Sequence, residues 1–198
     1  MRTFVCSIVM ALGVPTGAQV VQNYGNVTKE MLEKPPDGDW LMYSRTYDAQ
    51  RYSPLKQINK QNVNQLRMAW SRGFGAGTTE TIPVVHNGVI YAVTPGAVIQ
   101  AIDGTNGELI WEYKRKVPTN VATSARTKNL AIYQDIILYT APDGYVVGID
   151  ARTGELRWET KAGEAAHTSG PIVVEGKVIT GRACTKVRES CFIAAHER

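Results

Sequence analysis

Few side chains in this 198-residue chain combine a reactive type with a telling spacing. Cys184 and Cys191 are one pair. If the leader described below is removed, Cys6 goes with it and an even pair remains, which in an exported chain suggests a disulfide. Two free thiols are the other reading. Zinc is excluded, because two ligands without a His at standard spacing are too few. Glu80, in Thr79-Glu80-Thr81-Ile82-Pro83, and Thr168, in His167-Thr168-Ser169-Gly170-Pro171, each stand three residues before a proline. By residue type alone they read as a surface carboxylate and a loop-capping hydroxyl. Lys114-Arg115-Lys116 is the only basic run, and it reads as a solvated strand end.

The elements that position these groups announce themselves by repetition. Ala101-Ile102-Asp103-Gly104-Thr105-Asn106-Gly107-Glu108-Leu109-Ile110-Trp111 returns as Gly148-Ile149-Asp150-Ala151-Arg152-Thr153-Gly154-Glu155-Leu156-Arg157-Trp158, 47 residues later. A period of about 40–50 residues, with a strand, a Gly turn and a Trp-ended strand, marks a β-propeller or similar radial array. The first unit reads as strands at Ile82-Val85, Val89-Val93, Val98-Ile102 and Glu108-Tyr113, the first two joined by Asn87-Gly88, a strong hairpin signal. The second repeats it at Leu130-Tyr133, Ile136-Thr140, Tyr145-Asp150 and Glu155-Glu159. Short strands with two-residue turns predict four-stranded antiparallel sheets.

A third unit opens at Pro171-Val174 and Lys177-Thr180 and then departs. Gly88 to Asp103 and Asp135 to Asp150 are each 15 residues, but Gly176 to Glu197 is 21. The six extra residues fall between Gly181 and Phe192, the stretch holding both cysteines. Upstream, Leu66 to Arg72 reads as the closing strand of an earlier blade, with Trp70 in the role of Trp111 and Trp158. Thr28 is placed to cap a short helix over Lys29–Glu33. The expected fold is therefore all-β, a partial propeller of about three to four blades over residues 39–198, preceded by a lead-in at 19–38. Such an array does not close a ring, so the N-terminal part of a longer protein, or a truncated gene, is expected.

Composition is that of a globular chain, 43% hydrophobic and 20% charged. The net charge of +4 is spread along the sequence, so nucleic acid is not an indicated partner. Met1-Arg2-Thr3, the apolar run Phe4 to Val14 and the small residues up to Ala18 form a secretory signal peptide over residues 1–18. A periplasmic location follows as an expectation. The run is too short to span a membrane.

Asp39-Trp40, Arg45, Tyr52-Ser53, Ile58-Asn59, Asn62-Val63 and Leu66, together with the Asp-x-x-Thr-Gly-Glu-x-x-x-Trp repeats, resemble the pyrroloquinoline-quinone (PQQ)-dependent alcohol dehydrogenases. The resemblance covers roughly Thr28 to Glu197. It implies a quinoprotein-like propeller of eight blades, with PQQ on the central axis beside a metal, usually Ca2+. It further implies a small alcohol as substrate and a cytochrome c or quinone as electron acceptor. It assigns Glu80, Thr168 and Lys128 to the cofactor, Lys128 standing where the family has an Arg. A metal-binding Glu is expected between Gly181 and Cys191, where Glu189 is the candidate, and the catalytic Asp beyond Arg198. Ala122-Thr123-Ser124-Ala125 lies where many members carry two adjacent cysteines, so the cover over the quinone differs here. Non-catalytic quinoprotein-like propellers and an inactive truncated product are the alternative readings.

Overall fold

The computed structural model describes residues 19–122, 128–163, 167, 169–182 and 192–197. Thr168, Cys184, Glu189 and Cys191 lie outside this set, as do residues 1–18. Two four-stranded antiparallel sheets and one three-stranded sheet follow one another along the chain. The first contains β1 (Val84–His86), β2 (Val89–Thr94), β3 (Val98–Asp103) and β4 (Leu109–Lys114), in chain order. The second contains β5 (Ala131–Tyr133), β6 (Ile136–Thr140), β7 (Tyr145–Asp150) and β8 (Leu156–Lys161). The third contains β9 (Ile172–Val174), β10 (Lys177–Arg182) and β11 (Phe192–His196), with β10 central. No helix of the described residues is long and apolar enough to cross a membrane.

The two complete units share the same Asp-to-Gly turn. In the first, Asp103 Oδ1 accepts from the Thr105 amide at 2.7 Å and the Asp103 carbonyl accepts from the Gly107 amide at 2.8 Å. In the second, Asp150 Oδ1 accepts from the Arg152 and Thr153 amides at 2.8 and 3.1 Å, and its carbonyl accepts from Gly154 at 2.9 Å. An Asp side chain that bonds backbone two residues on sets such a turn. The same register shift follows, between Ala101 and Ile102 and between Gly148 and Ile149. This bulge lets the fourth strand restart beside the third with its Trp turned onto a neighbour.

Trp111 and Trp70 join the units. The Trp111 ring sits over the Gly154 turn and its Nε1 donates to the Ala151 carbonyl at 3.0 Å. The Trp70 ring covers Gly107 in the same way and donates to the Gly104 carbonyl at 3.1 Å. Gly107 and Gly154 are obligatory: each holds φ near +77° or +76°, and a Cβ would stand 2.5 or 2.6 Å from the indole. Leu66–Arg72, expected as a strand, has no strand partner among the described residues, yet its Trp docks as expected. The docking of Trp70 depends on the turn it covers, not on ladder bonds along its own segment.

The first strands converge. Ile82 bridges Asn129 in parallel, with the Ile82 amide donating to the Lys128 carbonyl at 2.6 Å, and β5 lies beside β9. The sheets therefore radiate from the β1, β5 and β9 edges. Tyr91, Ile99, Ile137, Tyr139 and Ile149 fill the space between them, all fully buried. The lead-in crosses the same region. Helix α1 (Lys29–Glu33) is capped by Thr28 as expected, its Oγ1 accepting from the Met31 amide at 3.3 Å. Val27 pairs with Gln134 and Trp40 with Val85, and buried Asp39 meets His86 Nδ1 at 2.7 Å. The lead-in thus ties two units together.

The basic run corrects an expectation. Arg115 is buried, not solvated. Its Nε and Nη2 grip both carboxylate oxygens of Asp143, at 2.8 to 3.0 Å, its Nη1 reaches Glu159 at 2.6 Å, and the guanidinium stacks on Tyr145. Nothing in the local sequence links residues 28 positions apart. The bond forms because the end of β4 meets the β6–β7 turn of the next unit.

Candidate functional site

Glu80 lies just before the converging edge, and its placement comes from its neighbours. Thr79 Oγ1 donates to the Val93 carbonyl at 3.3 Å, and Thr81 Oγ1 accepts from the Val93 amide at 3.1 Å. Alternation along extended backbone turns Glu80 away from β2. Its Oε2 lies 3.5 Å from Lys128 Nζ, and both side chains are half exposed. Two residues singled out from sequence are therefore brought together, from two different units. An exposed pair of this kind contributes about 0–1 kcal/mol to stability, so the fold does not depend on it.

Asn129 and Ser169 were missed by sequence reasoning. Asn129 Oδ1 accepts from the Gly170 amide at 3.1 Å and Nδ2 donates to the Pro171 carbonyl at 3.4 Å. One side chain thereby fixes the third unit to the second at the convergent edge. The signal was its position beside Lys128, at the same distance from its strand as Ile82. Between this edge and residues 42–49 lies a cavity of about 400 Å³, with Lys128, Asn129 and Ser169 on one side and Tyr43, Tyr47 and Ile172 among its other walls. Its size is that of a small-molecule site.

His167, next to the predicted Thr168, is buried. Its Nδ1 lies 3.1 Å from the Gly181 carbonyl and so carries the proton, and Nε2 is buried without a partner among the described residues. Burial holds the imidazole below its usual range. A base with a depressed folded-state value resists protonation in the folded protein. Its contribution is present above the ordinary value of about 6.5 and is lost as pH falls below it. Thermal melts from pH 7.5 to 5.5 are expected to show a falling midpoint, and His167→Asn is expected to flatten that slope. Equal slopes in the two proteins would refute this assignment.

Among the described residues no group of three or more His, Cys, Asp or Glu converges as a metal site would. Glu189 and the Cys184–Cys191 pair lie outside the described residues.

Comparison with known proteins places the chain. The family model of the PQQ glucose/ethanol/alcohol dehydrogenase β-propeller domain matches residues 40–190. A quinohemoprotein alcohol dehydrogenase of Pseudomonas putida is 32% identical over 210 residues, covering 100% of this chain and 29% of the relative. The dehydrogenase subunit of a quinone alcohol dehydrogenase of Gluconobacter oxydans is 46% identical over 86 residues, 43% of this chain and 11% of the relative. Among solved structures, the P. putida quinohemoprotein alcohol dehydrogenase aligns with TM-score 0.76 at 30% identity, over 87% of this chain and 27% of that one. The quinohemoprotein alcohol dehydrogenase of Comamonas testosteroni aligns with TM-score 0.74 at 29% identity, over 84% and 26%. The chain spans less than a third of the length of these relatives. The radiating antiparallel sheets are thus propeller blades, and the chain belongs to the family of PQQ-dependent alcohol dehydrogenase β-propellers.

Proposed function

We propose that this chain forms a cofactor-bearing part of a PQQ-dependent dehydrogenase that oxidises a small alcohol. The observation that carries the reading is the meeting of Glu80 and Lys128 at the convergent strand edge. PQQ is a flat ortho-quinone bearing carboxylates, and the residues present suit it. Lys128 offers a point charge to a carboxylate, without the two-pronged grip of an Arg. Glu80 offers a hydrogen-bonding partner to the quinone. Tyr43, Tyr47 and Ile172 are among the walls of the adjoining cavity. When bound, the quinone supplies a carbonyl carbon that accepts the substrate hydride. The residues of this chain would bind and orient it.

Thr168 would contact the cofactor in this proposal, and Glu189 is the candidate ligand for a calcium ion. Residues 1–18 direct export, which places the enzyme in the periplasm. The electrons pass to a cytochrome or quinone, in keeping with relatives named quinohemoprotein and quinone dehydrogenases.

The test is alcohol oxidation by the dehydrogenase carrying this segment, with PQQ, calcium and an artificial acceptor. Lys128→Ala is expected to raise the PQQ needed for half-maximal activity about tenfold, the loss of one charge-assisted contact of about 1.4 kcal/mol. Its melting temperature is expected to stay unchanged. No PQQ-dependent turnover in the unsubstituted protein would sink the proposal.

A further inference from the structure

The first strands of the three units meet through two different joints. Ile82, Asn129 and Gly170 hold equivalent places, each four residues before the last residue of β1, β5 or β9. Between the first and second units the joint is backbone. Ile82 bridges Asn129, and the Ile82 amide donates to the Lys128 carbonyl at 2.6 Å. Between the second and third units the joint is a side chain. Asn129 Oδ1 accepts from the Gly170 amide at 3.1 Å, and Nδ2 donates to the Pro171 carbonyl at 3.4 Å. The pair of bonds needs one acceptor and one donor, which a carboxamide offers and a carboxylate does not. The approach is also close. A Cβ on Gly170 would overlap the Asn129 carbonyl, so glycine at 170 lets the two units come this near.

Asn129 therefore touches both neighbouring units, one through its backbone and the other through its side chain. Lys128 precedes it directly. The Lys128 carbonyl is held by Ile82, which stands two residues after Glu80. Ser169, beside Gly170, lines the same cavity as Lys128 and Asn129. Glu80, Lys128 and Ser169 thus come from three successive units, and the Lys128 ammonium lies 3.5 Å from Glu80. The Lys128 side chain is long and half exposed, so the firm part of its placement is the backbone from which it springs.

We propose that Asn129 is a positioning residue, whose side chain sets the Lys128 backbone at the spacing from Glu80 and Ser169 that a carboxylate-bearing quinone requires. It acts through Lys128 and makes no contact of its own with the quinone. The effect on the cofactor rests on the reading given above, whereas the hold on Lys128 rests on the hydrogen bonds alone.

Two measurements on the 198-residue chain test it. Without PQQ, hydrogen exchange at the Ile82 amide reports how firmly the Lys128 carbonyl is held. Asn129→Ala is expected to speed this exchange about threefold, the low end for groups joined in one hydrogen-bond network. With PQQ, calorimetric titration is expected to show binding about tenfold weaker in Lys128→Ala and about threefold weaker in Asn129→Ala. In the Lys128→Ala background, Asn129→Ala is expected to add nothing. A merely structural role would cost the same in both backgrounds. Gly170→Ala presses on the joint from the third unit and is expected to give the same pattern. Unchanged Ile82 exchange in Asn129→Ala would overturn the proposal, as would a loss of affinity that persists without Lys128. Undiminished PQQ binding by Lys128→Ala would refute the cofactor reading instead, and exchange at Ile82 would still decide whether Asn129 holds the Lys128 backbone.

Discussion

Trp111→Ala is expected to destabilise the chain by about 3–5 kcal/mol, the range for removing a buried aromatic side chain. That is a large part of the roughly 5–15 kcal/mol that holds a domain folded. Trp111 is 4% exposed, covers the Gly154 turn and lies 5.8 Å from the Tyr91 ring. The Ala151 carbonyl accepts from both Trp111 and Tyr91, at 3.0 and 3.1 Å. The carbonyl thus keeps a partner when the indole goes, and the loss falls on packing. Trp111→Phe separates the two contributions, since it retains a ring over the turn and removes only the N–H and part of the area. Its expected cost is about 1–2 kcal/mol. Urea unfolding measures both. A Trp111→Ala midpoint equal to that of the unsubstituted chain would show that the indole does not join the first two units.

Arg115→Ala is expected to cost about 3–5 kcal/mol by leaving a buried carboxylate without its counter-charge. Asp143 bears the loss, because its side chain is only 9% exposed, whereas Glu159 at 38% can turn to water. Removing both charges changes the outcome. Arg115→Met with Asp143→Leu is expected to recover most of the stability, since a buried pair often does little better than apolar residues of similar volume. A double-mutant cycle by urea unfolding reads the coupling. Additive single effects would mean that the two side chains do not act as a pair.

These two sites differ in how far the sequence disclosed them. The tryptophans were legible because their repeat is periodic and the chemistry of the Asp-to-Gly turn is local. The Asp side chain bonds amides two or three residues on, so spacing alone reveals it. Strand ends were legible to within a residue or two: β1 begins at Val84 rather than Ile82, because Ile82 bonds across to Lys128 and is drawn to the neighbouring unit. The Arg115 network was not legible. Its partners lie on another unit, and a Lys-Arg-Lys run carries no mark of which cation will be buried. The strand expected at Leu66–Arg72 failed for a related reason, since strand character needs a partner that local pattern does not supply.

The candidate site divides in the same way. Glu80 and Lys128 entered through a family resemblance, and the fold brings them within 3.5 Å of each other. Asn129 was visible only as a polar residue at a strand start, and its role emerges once Gly170 and Pro171 are beside it. The repeat gives the architecture and none of the chemistry. In the proposed function that would rest on a few side chains at the convergent edge.

The most direct test of the central claim, that this edge receives PQQ, is a titration of the isotopically labelled chain with PQQ followed by amide NMR shifts. Saturable changes are predicted at Thr79 to Ile82, at Lys128 and Asn129, and at Ser169 and Gly170, and these should weaken in Lys128→Ala. Shifts confined to other surfaces, or none at millimolar PQQ, would contradict the account.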